Sequence, residues 1–272
     1  VTTGKLIAFT AYISRFWQPI NTIANFYNSV LTAVSYLERI FETIDEPVAV
    51  KDATDAVQMP QIKGDVAFDH VTFSYEDGIP ILHDVSFKVQ QGETIAIVGP
   101  TGAGKTTIVN LLSRFYNVDR GTVKIDGIVI SKVTLRSLRE QMGVMMQDSF
   151  IFSGTIMDNI RYGNKKASDE DVIRAAKTVC AHDFIVQMED GYNTQVNERG
   201  SRLSVGQRQL ISFARALLAD PAILILDEAT SSIDTETEIV LQEGLSHLLE
   251  GRTSFIIAHR LSTIKNANRI MY

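Results

Sequence analysis

The sequence predicts an α/β fold preceded by one long α-helix. Two short runs, Thr94–Val98 and Ile223–Leu226, are almost entirely apolar, as strands covered on both faces of a parallel sheet are. The first run leads through a glycine-rich turn into the helical pattern Thr107–Leu112, which gives the order strand, loop, helix. Before them, residues 6–44 repeat apolar side chains with the three- and four-residue spacing of a helix.

The overall composition is that of a globular protein. Of 272 residues, 45% are hydrophobic and 21% are charged, which is unlike a disordered chain. The net charge of −6 argues against a general nucleic-acid binder. The single cysteine, Cys180, cannot form an internal disulfide and suits a reducing compartment. Because the chain begins at Val1 without methionine, we expect it to be a piece of a longer protein.

The N-terminal helical pattern runs from Leu6 to Ile44, about 58 Å of helix at the usual rise per residue. This is longer than a hydrocarbon core of about 30 Å. Arg15 and Pro19 disfavour a simple lipid-facing span, since a charge in lipid is costly and proline removes a helical hydrogen bond. We interpret the segment as a helix partly in the membrane that continues as a stalk; a soluble coiled-coil stalk is the alternative. Glu46-Pro47 should end it, and residues 47–63 have the composition of a linker.

Short strands are predicted after the linker at Val66–Phe68, Val71–Tyr75 and Val85–Val89. Tyr75 ends its strand and could stack on a base, although exposed aromatic residues at strand ends are also common without a ligand.

The glycine-rich turn fits the phosphate-loop pattern G-x-x-x-x-G-K-[ST]. Its residues are Gly99, Pro100, Thr101, Gly102, Ala103, Gly104, Lys105 and Thr106. In such a loop backbone amides surround nucleotide phosphates, and the helix N-terminus adds a positive dipole end. Lys105 would reach the β- and γ-phosphates, and the Thr106 hydroxyl would bind Mg²⁺. The alternative is a chance match, which the strand–loop–helix context disfavours.

Two further motifs carry candidate chemistry. Asp227 and Glu228 follow the apolar run Ile223–Leu226, and strand ends of parallel sheets are where ligands bind. Asp227 is suited to hold the Mg²⁺ shell, and Glu228 could orient and deprotonate the attacking water. The alternative is that both are acidic residues of the surface. In Leu203–Gln207, Ser204 could cap the following helix or help to capture an anion at the helix N-terminus.

Together these residues resemble the nucleotide-binding domain of ATP-binding cassette (ABC) transporters, from about residue 4 to the end of the chain. Gly99–Thr106 is similar to the Walker A motif, Ile223–Glu228 to Walker B, and Leu203–Gln207 to the family's signature motif. The resemblance implies a P-loop NTPase-like ABC ATPase domain with a mixed-sheet core, an antiparallel β subdomain and an α-helical subdomain. It implies ATP and Mg²⁺ as the ligands.

The resemblance also assigns roles to individual residues. Tyr75 corresponds to the aromatic A-loop residue, Gln147 to the Q-loop glutamine, Asp234 to the D-loop aspartate and His259 to the switch histidine. It implies a catalytic set, Glu228, His259, Lys105 and Gln147. The implied Mg²⁺ ligands are Thr106, Gln147 and Asp227. Besides the phosphate loop and Tyr75, the implied nucleotide contacts are Thr107, Ser204, Val205, Gly206, Gln207 and Asp234.

Within the family, Phe150–Ile160 and Asn197–Ser201 are similar to exporter patterns. The implied organisation is the last transmembrane helix and its cytoplasmic extension in 1–46, a linker in 47–63, and a C-terminally truncated nucleotide-binding domain in 64–272. The implied function is the ATP-hydrolysing motor of an exporter. Its partners would be a second nucleotide-binding domain, identical or different and arranged head to tail, and its own membrane domain with coupling helices, without nucleic acid. The full-length protein would be a multi-pass protein of the cell membrane, with a cytoplasmic ATPase domain.

The sequence departs from the family pattern at Asn197, Val205 and Ile233. Val205 stands where glycine is usual, near the start of the helix that is expected to face the γ-phosphate of the partner's ATP. Its side chain could therefore alter how this domain activates hydrolysis in its partner. Three alternatives to an exporter motor are a soluble ABC ATPase of the DNA repair or translation type with a coiled-coil stalk, a P-loop kinase or GTPase, and a regulatory nucleotide sensor. Leu203–Gln207 disfavours the kinase or GTPase, and Glu228 with His259 disfavours the sensor.

Overall fold

A computed structural model describes residues 2–76, 78–146, 150–197, 200, 203–227, 235–258 and 264–272. Its α-helices are α1 Thr3–Ile44, α2 Lys105–Leu112, α3 Leu135–Arg139, α4 Ile156–Arg161, α5 Asp169–Thr178, α6 His182–Val186, α7 Val205–Ala219 and α8 Thr235–Leu249. Its strands are β1 Val66–Ser74, β2 Pro80–Val89, β3 Thr94–Ile97, β4 Arg120–Ile125, β5 Ile128–Val129, β6 Met142–Met145, β7 Gly154–Thr155, β8 Gln195–Val196, β9 Ile223–Asp227, β10 Thr253–Ile257 and β11 Arg269–Met271.

The chain divides into two compact units, Val1–Ala49 and Val50–Tyr272. Helix α1 makes up most of the first unit and confirms the predicted helix; it continues through Pro19 and ends at Ile44, with Asp45 as its C-cap. All of its residues are exposed, including the apolar ones at three- and four-residue spacing. Within the described ranges, no helix combines the length and the apolar character needed to cross a membrane.

A five-stranded parallel sheet in the order β11-β3-β10-β9-β6 forms the centre of the second unit. Alternate residues of its central strands enter two different cores. Ile95, Ile225 and Phe255 lie in one core, whereas Leu224 and Ile256 lie in the other. Because both faces of the sheet are covered, the strands are apolar throughout, which is what made β3 and β9 visible in the sequence.

The first core is closed by α2 and by an antiparallel sheet in the order β2-β1-β4-β5. Two strands were predicted at Val66–Phe68 and Val71–Tyr75, but the structure has the single strand β1. His70 has a φ of +50° and the pairing of β1 with β2 shifts register between Phe68 and Val71. This irregularity breaks the apolar alternation that a sequence pattern relies on.

Helices α4 to α8 surround the second core and form a helical layer, in which α7 packs against α4, α5 and α8. The predicted fold class is therefore confirmed, with the parallel and antiparallel strands in separate sheets.

Most of the segment predicted to be a linker, 47–63, belongs to the second unit, which begins at Val50. Met59 and Ile62 are buried in the first core. The Met59 amide donates to Ser137 Oγ at 2.8 Å, and the Ile62 amide donates to Gln141 Oε1 at 2.8 Å. Its polar composition and lack of periodicity therefore reflect irregular backbone, not freedom from the domain.

Candidate functional site

The carboxyl ends of the central parallel strands bring two predicted motifs to one edge of the sheet. Ile97 at the end of β3 is in register with Ile257 of β10, and Ile257 is in register with Asp227 at the end of β9. Asp227 is therefore two strands, or about 10 Å, from the point where the chain enters the phosphate loop. Ligands of open α/β sheets bind at such an edge.

The phosphate loop ends at Gly104, whose backbone only glycine adopts at low cost. Gly104 is the N-cap of α2 with a φ of +85°. A Cβ atom at this position would lie 2.9 Å from Leu82 Cδ2 in the antiparallel sheet. Glycine at this position therefore allows the phosphate loop to turn directly into α2.

The N-terminus of α2 suits an anion. Gly104 provides no side-chain cap, and the first turn has no acidic residue. The first-turn amides of Lys105, Thr106 and Thr107 have no partner within the helix, because an α-helix leaves its first N–H groups unpaired. In contrast, α4, α5 and α7 each begin with a complete capping box. The residues present therefore fit a phosphate group, which would accept these amides at the positive end of the helix.

Lys105 lies over the loop. Its Nζ donates hydrogen bonds to the carbonyl oxygens of Gly99 at 2.8 Å and Pro100 at 2.9 Å. Among the ion pairs between described residues, none involves Lys105. The ammonium group thus adds positive charge to the same space as the amides.

Tyr75 lies beside α2, although 32 residues separate it from Thr107. The two hydroxyl oxygens are 3.2 Å apart, and Asn110 Nδ2 donates to the Tyr75 hydroxyl at 3.4 Å. The Tyr75 ring packs edge-on against Phe73 and Tyr116, with centroids at 4.9 and 5.0 Å, and the residue remains 46% exposed. An aromatic surface next to the phosphate loop is suited to stacking on a base.

Sequence reasoning missed the contribution of Asn110 and Tyr116 to this arrangement. Asn110 lies three residues after Thr107 on α2, so the helical period places both on one face. Tyr116 follows the end of α2, and no local pattern predicts its contact with a strand about 40 residues earlier in the chain.

Ser204 caps α7, as one of its two interpretations predicted. Its hydroxyl accepts from the Gln207 amide at 3.1 Å, and Gln207 Oε1 accepts from the Ser204 amide at 3.0 Å. Gly206 is buried, and a Cβ atom there would lie 2.3 Å from Thr237 Cγ2 of α8. Val205 is 42% exposed, so this departure from the family pattern is accommodated at the surface.

Four predicted site residues, Gln147, Glu228, Asp234 and His259, lie outside the described residues. Most of the exporter-like segment 197–201 and Ile233 also lie outside them. Within the described ranges, no three or more His, Cys, Asp or Glu residues cluster as a metal site.

A second surface involves the exporter-like segment Phe150–Ile160. Phe150, Phe152 and Tyr162 are exposed aromatic residues. The ring centroids of Phe150 and Phe152 are 5.0 Å apart, and those of Phe152 and Tyr162 are 4.5 Å apart. Arg215 supports them from α7. Its Nη1 donates to the Phe150 carbonyl at 2.9 Å, and its guanidinium lies 5.2 Å from the centre of the Phe152 ring. Burial lowers the pKa of Arg215.

We call the three exposed rings Phe150, Phe152 and Tyr162 the aromatic patch. Asn159 supports this patch from below. Asn159 is buried, and its side chain exchanges hydrogen bonds with the backbone of Phe152, each at 2.9 Å. Its Oδ1 also accepts from Arg215 Nη2 at 3.1 Å. A buried polar network of this kind fixes the exposed rings in place. The sequence indicated the segment but not Arg215, which is distant in the chain.

Comparison with known proteins bears on these features. The sequence profile described as "ABC transporter" matches residues 82–231. An uncharacterized ABC transporter ATP-binding protein, YknV of Bacillus subtilis (strain 168), is 54% identical over 100% of this chain and 45% of its own length. A fatty acid ABC transporter ATP-binding/permease protein of Mycobacterium bovis (strain ATCC BAA-935 / AF2122/97) is 45% identical over 100% of this chain and 43% of its own length.

A solved structure of a bacterial Atm1-family ABC exporter with ATP bound is 40% identical and superposes with a TM-score of 0.79. The match covers 99% of this chain and 47% of the exporter chain. The chain thus spans about half the length of the curated relatives it matches. The matched profile spans the phosphate loop, the capped helix α7 and β9, and the chain belongs to the ABC transporter family, whose ATP-binding domains are ATPases coupled to transport.

Proposed function

We propose that this chain is the ATP-hydrolysing motor of an ABC exporter. The observation that carries the proposal is one edge of the parallel sheet, where β3 leads into the loop with Lys105 and the uncapped α2, and where β9 ends at Asp227. These groups suit a nucleoside triphosphate. They supply hydrogen-bond donors and positive charge for the phosphates, and one carboxylate for a divalent cation. The ATP-bound exporter of similar fold supports ATP as that nucleotide.

In this proposal the residues of one chain bind ATP in three ways. Tyr75 stacks on adenine, and the loop from Gly99 to Thr107 donates backbone amides to the phosphates, except at Pro100, which has no N–H. Lys105 adds its charge at the β- and γ-phosphates. Thr106, Gln147 and Asp227 would hold Mg²⁺, which supplies charge neutralisation at the β- and γ-phosphate oxygens. Protein-bound Mg²⁺ is commonly coordinated by one or two carboxylates plus substrate phosphates, and this donor set fits that pattern.

Hydrolysis then depends mainly on the position of one water molecule. Glu228 orients this water in line with the γ-phosphorus and accepts its proton as the new P–O bond forms and the bond to the β-phosphate oxygen breaks. His259 and Gln147 contact the γ-phosphate. Phosphoryl transfer needs little covalent participation by the protein, so positioning and charge stabilisation provide most of the rate enhancement.

A second nucleotide-binding domain completes each site in this proposal. Ser204, Val205, Gly206 and Gln207 at the start of α7, with Asp234, would contact the ATP bound to the other domain. The α7 N-terminus has no acidic residue in its first turn, so its dipole favours a facing phosphate. The capping hydrogen bond does not conflict with this role. Its donor is the Gln207 amide of α7 itself, and the bond holds the Ser204 hydroxyl at the N-terminus of α7.

Coupling to a membrane domain is the remaining part of the proposal. The aromatic patch is an exposed apolar surface on a rigid support, and we assign it to the coupling helices of the membrane domain. Helix α1 would be the last helix of that domain and its cytoplasmic extension, in a multi-pass protein of the cell membrane. Similarity to ATP-binding/permease proteins over the whole chain, α1 included, supports this over a soluble ABC ATPase.

The Lys105→Ala variant tests the ATP site. Loss of charge-assisted hydrogen bonds to phosphate should cost about 2–3 kcal/mol, which weakens ATP binding by roughly 30- to 150-fold and reduces turnover accordingly. Binding can be measured by calorimetry and turnover by phosphate release. Lys124→Ala is the control, since Lys124 pairs with Asp69 on the antiparallel sheet. ATP affinity that is equal in the parent and Lys105→Ala would contradict the assignment.

A further inference from the structure

Arg114 occupies a backbone position that glycine fills at lower cost. It follows α2 and its C-cap, with a φ of +52°. The amides of Arg114 and Phe115 donate to the carbonyls of Leu111 and Asn110, at 3.0 and 2.9 Å. This pair of bonds is the Schellman ending of a helix, in which glycine is the usual left-handed residue. An arginine held there against that preference suggests a use for its side chain.

The Arg114 side chain is 3% exposed and reaches the start of the second unit. Its Nη1 donates to the Val133 carbonyl at 2.6 Å, and its Nη2 donates to the Lys51 carbonyl at 3.1 Å. Its Nη1 is also 3.7 Å from Asp52 Oδ1, which accepts from the Leu135 amide at 2.8 Å. Arg114 therefore joins the end of α2 to residues 51 and 52 and to the turn that precedes α3.

This contact is costly as well as specific. Arg114 Nε is buried without a hydrogen-bond partner among the described residues, and burial lowers the pKa of the guanidinium. Lysine could not replace it, because a single ammonium group cannot match a planar fork directed at two carbonyl oxygens. The neighbouring segment is fixed too, since the Val57 amide donates to the Lys132 carbonyl at 3.1 Å.

We propose that Arg114 is a positioning residue that transmits nucleotide binding from α2 to residues 50–57, where the chain leaves the ATPase unit toward α1. Helix α2 has 8 residues. It is therefore a short rod of about 12 Å with its phosphate-binding amides at one end and Arg114 beyond the other. A displacement of α2 by bound phosphate reaches Lys51 and Asp52 through the guanidinium. This inference rests on the proposed ATP site at the N-terminus of α2.

Hydrogen–deuterium exchange of the whole chain tests the inference, measured with and without Mg²⁺ and a non-hydrolysable ATP analogue. In the parent, the analogue should slow exchange both in residues 99–107 and in residues 50–57. Arg114→Gly suits the left-handed backbone and removes the whole side chain, including the guanidinium. This variant should keep the slowing in 99–107 and lose it in 50–57. Arg114→Lys should lose it as well, because it restores charge without the fork.

Asp220→Gly is the matched control. Asp220 is the left-handed C-cap of α7, with a φ of +47°, so its replacement changes the backbone preference in the same way at another helix end. It should respond to the analogue like the parent in both segments. Equal slowing of 50–57 in the parent and Arg114→Gly would overturn the inference while leaving the ATP site intact. An analogue that leaves 99–107 unchanged in the parent would overturn the ATP site and, with it, this inference.

Discussion

At the scale of single residues, neighbouring positions in one motif have different structural demands. Gly206 is buried against α8, where an added Cβ atom would be 2.3 Å from Thr237 Cγ2. Val205, one residue earlier, is 42% exposed. The departure from the family pattern therefore occurs at the position that has room for a side chain.

This difference predicts the stability of two variants. Gly206→Ala should destabilise the domain by about 1–3 kcal/mol, because overpacking forces α7 and α8 apart. Val205→Ala changes an exposed side chain and should stay within about 0.5 kcal/mol of the parent. Denaturant unfolding monitored by circular dichroism measures both. Equal stability of Gly206→Ala and Val205→Ala would show that the close approach of the two helices is not tight.

Other residue-scale features of the site were only partly visible in the sequence. The phosphate loop was predictable because its glycines and lysine act within one local turn. Tyr75 was identified as an aromatic at a strand end, but its hydrogen-bonded neighbours Thr107 and Asn110 depend on how β1 packs against α2. Arg114 and Arg215 gave no signal, since their partners Lys51 and Phe150 lie 63 and 65 residues away in the chain.

At the scale of elements, helices α2 and α7 begin in different ways. Helices α5 and α7 begin with equivalent capping boxes, Ser168 with Asp171 and Ser204 with Gln207. Helix α2 begins without one. The capping box stabilises α7 without placing an acidic residue in its first turn, whereas the first amides of α2 have no side-chain cap and are left for a ligand.

The two capping serines allow a matched comparison. Ser204→Ala and Ser168→Ala should each lose about 1 kcal/mol of stability, because each removes one N-cap hydrogen bond. Only Ser204→Ala should also reduce ATP turnover, since only Ser204 is assigned to the ATP of a partner domain. Unfolding and phosphate-release assays on the two variants give both quantities. Identical turnover in the two variants would leave Ser204 with the capping role alone.

Elements were predictable in proportion to how local their signals are. Strands β3 and β9 are continuous apolar runs because the parallel sheet is covered on both faces. Helix α1 was clear from its long periodicity. The lack of periodicity in 47–63 predicts a linker, yet Met59 and Ile62 are buried in the first core. Their amides donate to Ser137 and Gln141, which lie 78 and 79 positions later in the chain.

At the scale of the whole molecule, a complete ATP site would need two ATPase domains, identical or different. The phosphate loop, Tyr75 and Asp227 belong to one domain, and the start of α7 would face the nucleotide of the other. ATP would then act as part of the interface, because it binds the closed pair more tightly than the separate domains. The aromatic patch and residues 50–57 would carry the resulting movement toward the membrane helices.

The molar mass of the Glu228→Gln chain, measured by light scattering after size-exclusion chromatography in mild detergent, tests this central claim most directly. The variant should bind ATP without hydrolysing it and so prolong the closed pair. With ATP and Mg²⁺ the protein mass should rise from 30.2 kDa to twice that value, and it should fall back when Lys105→Ala is added. A mass that stays at 30.2 kDa while calorimetry shows bound ATP would contradict the two-domain site.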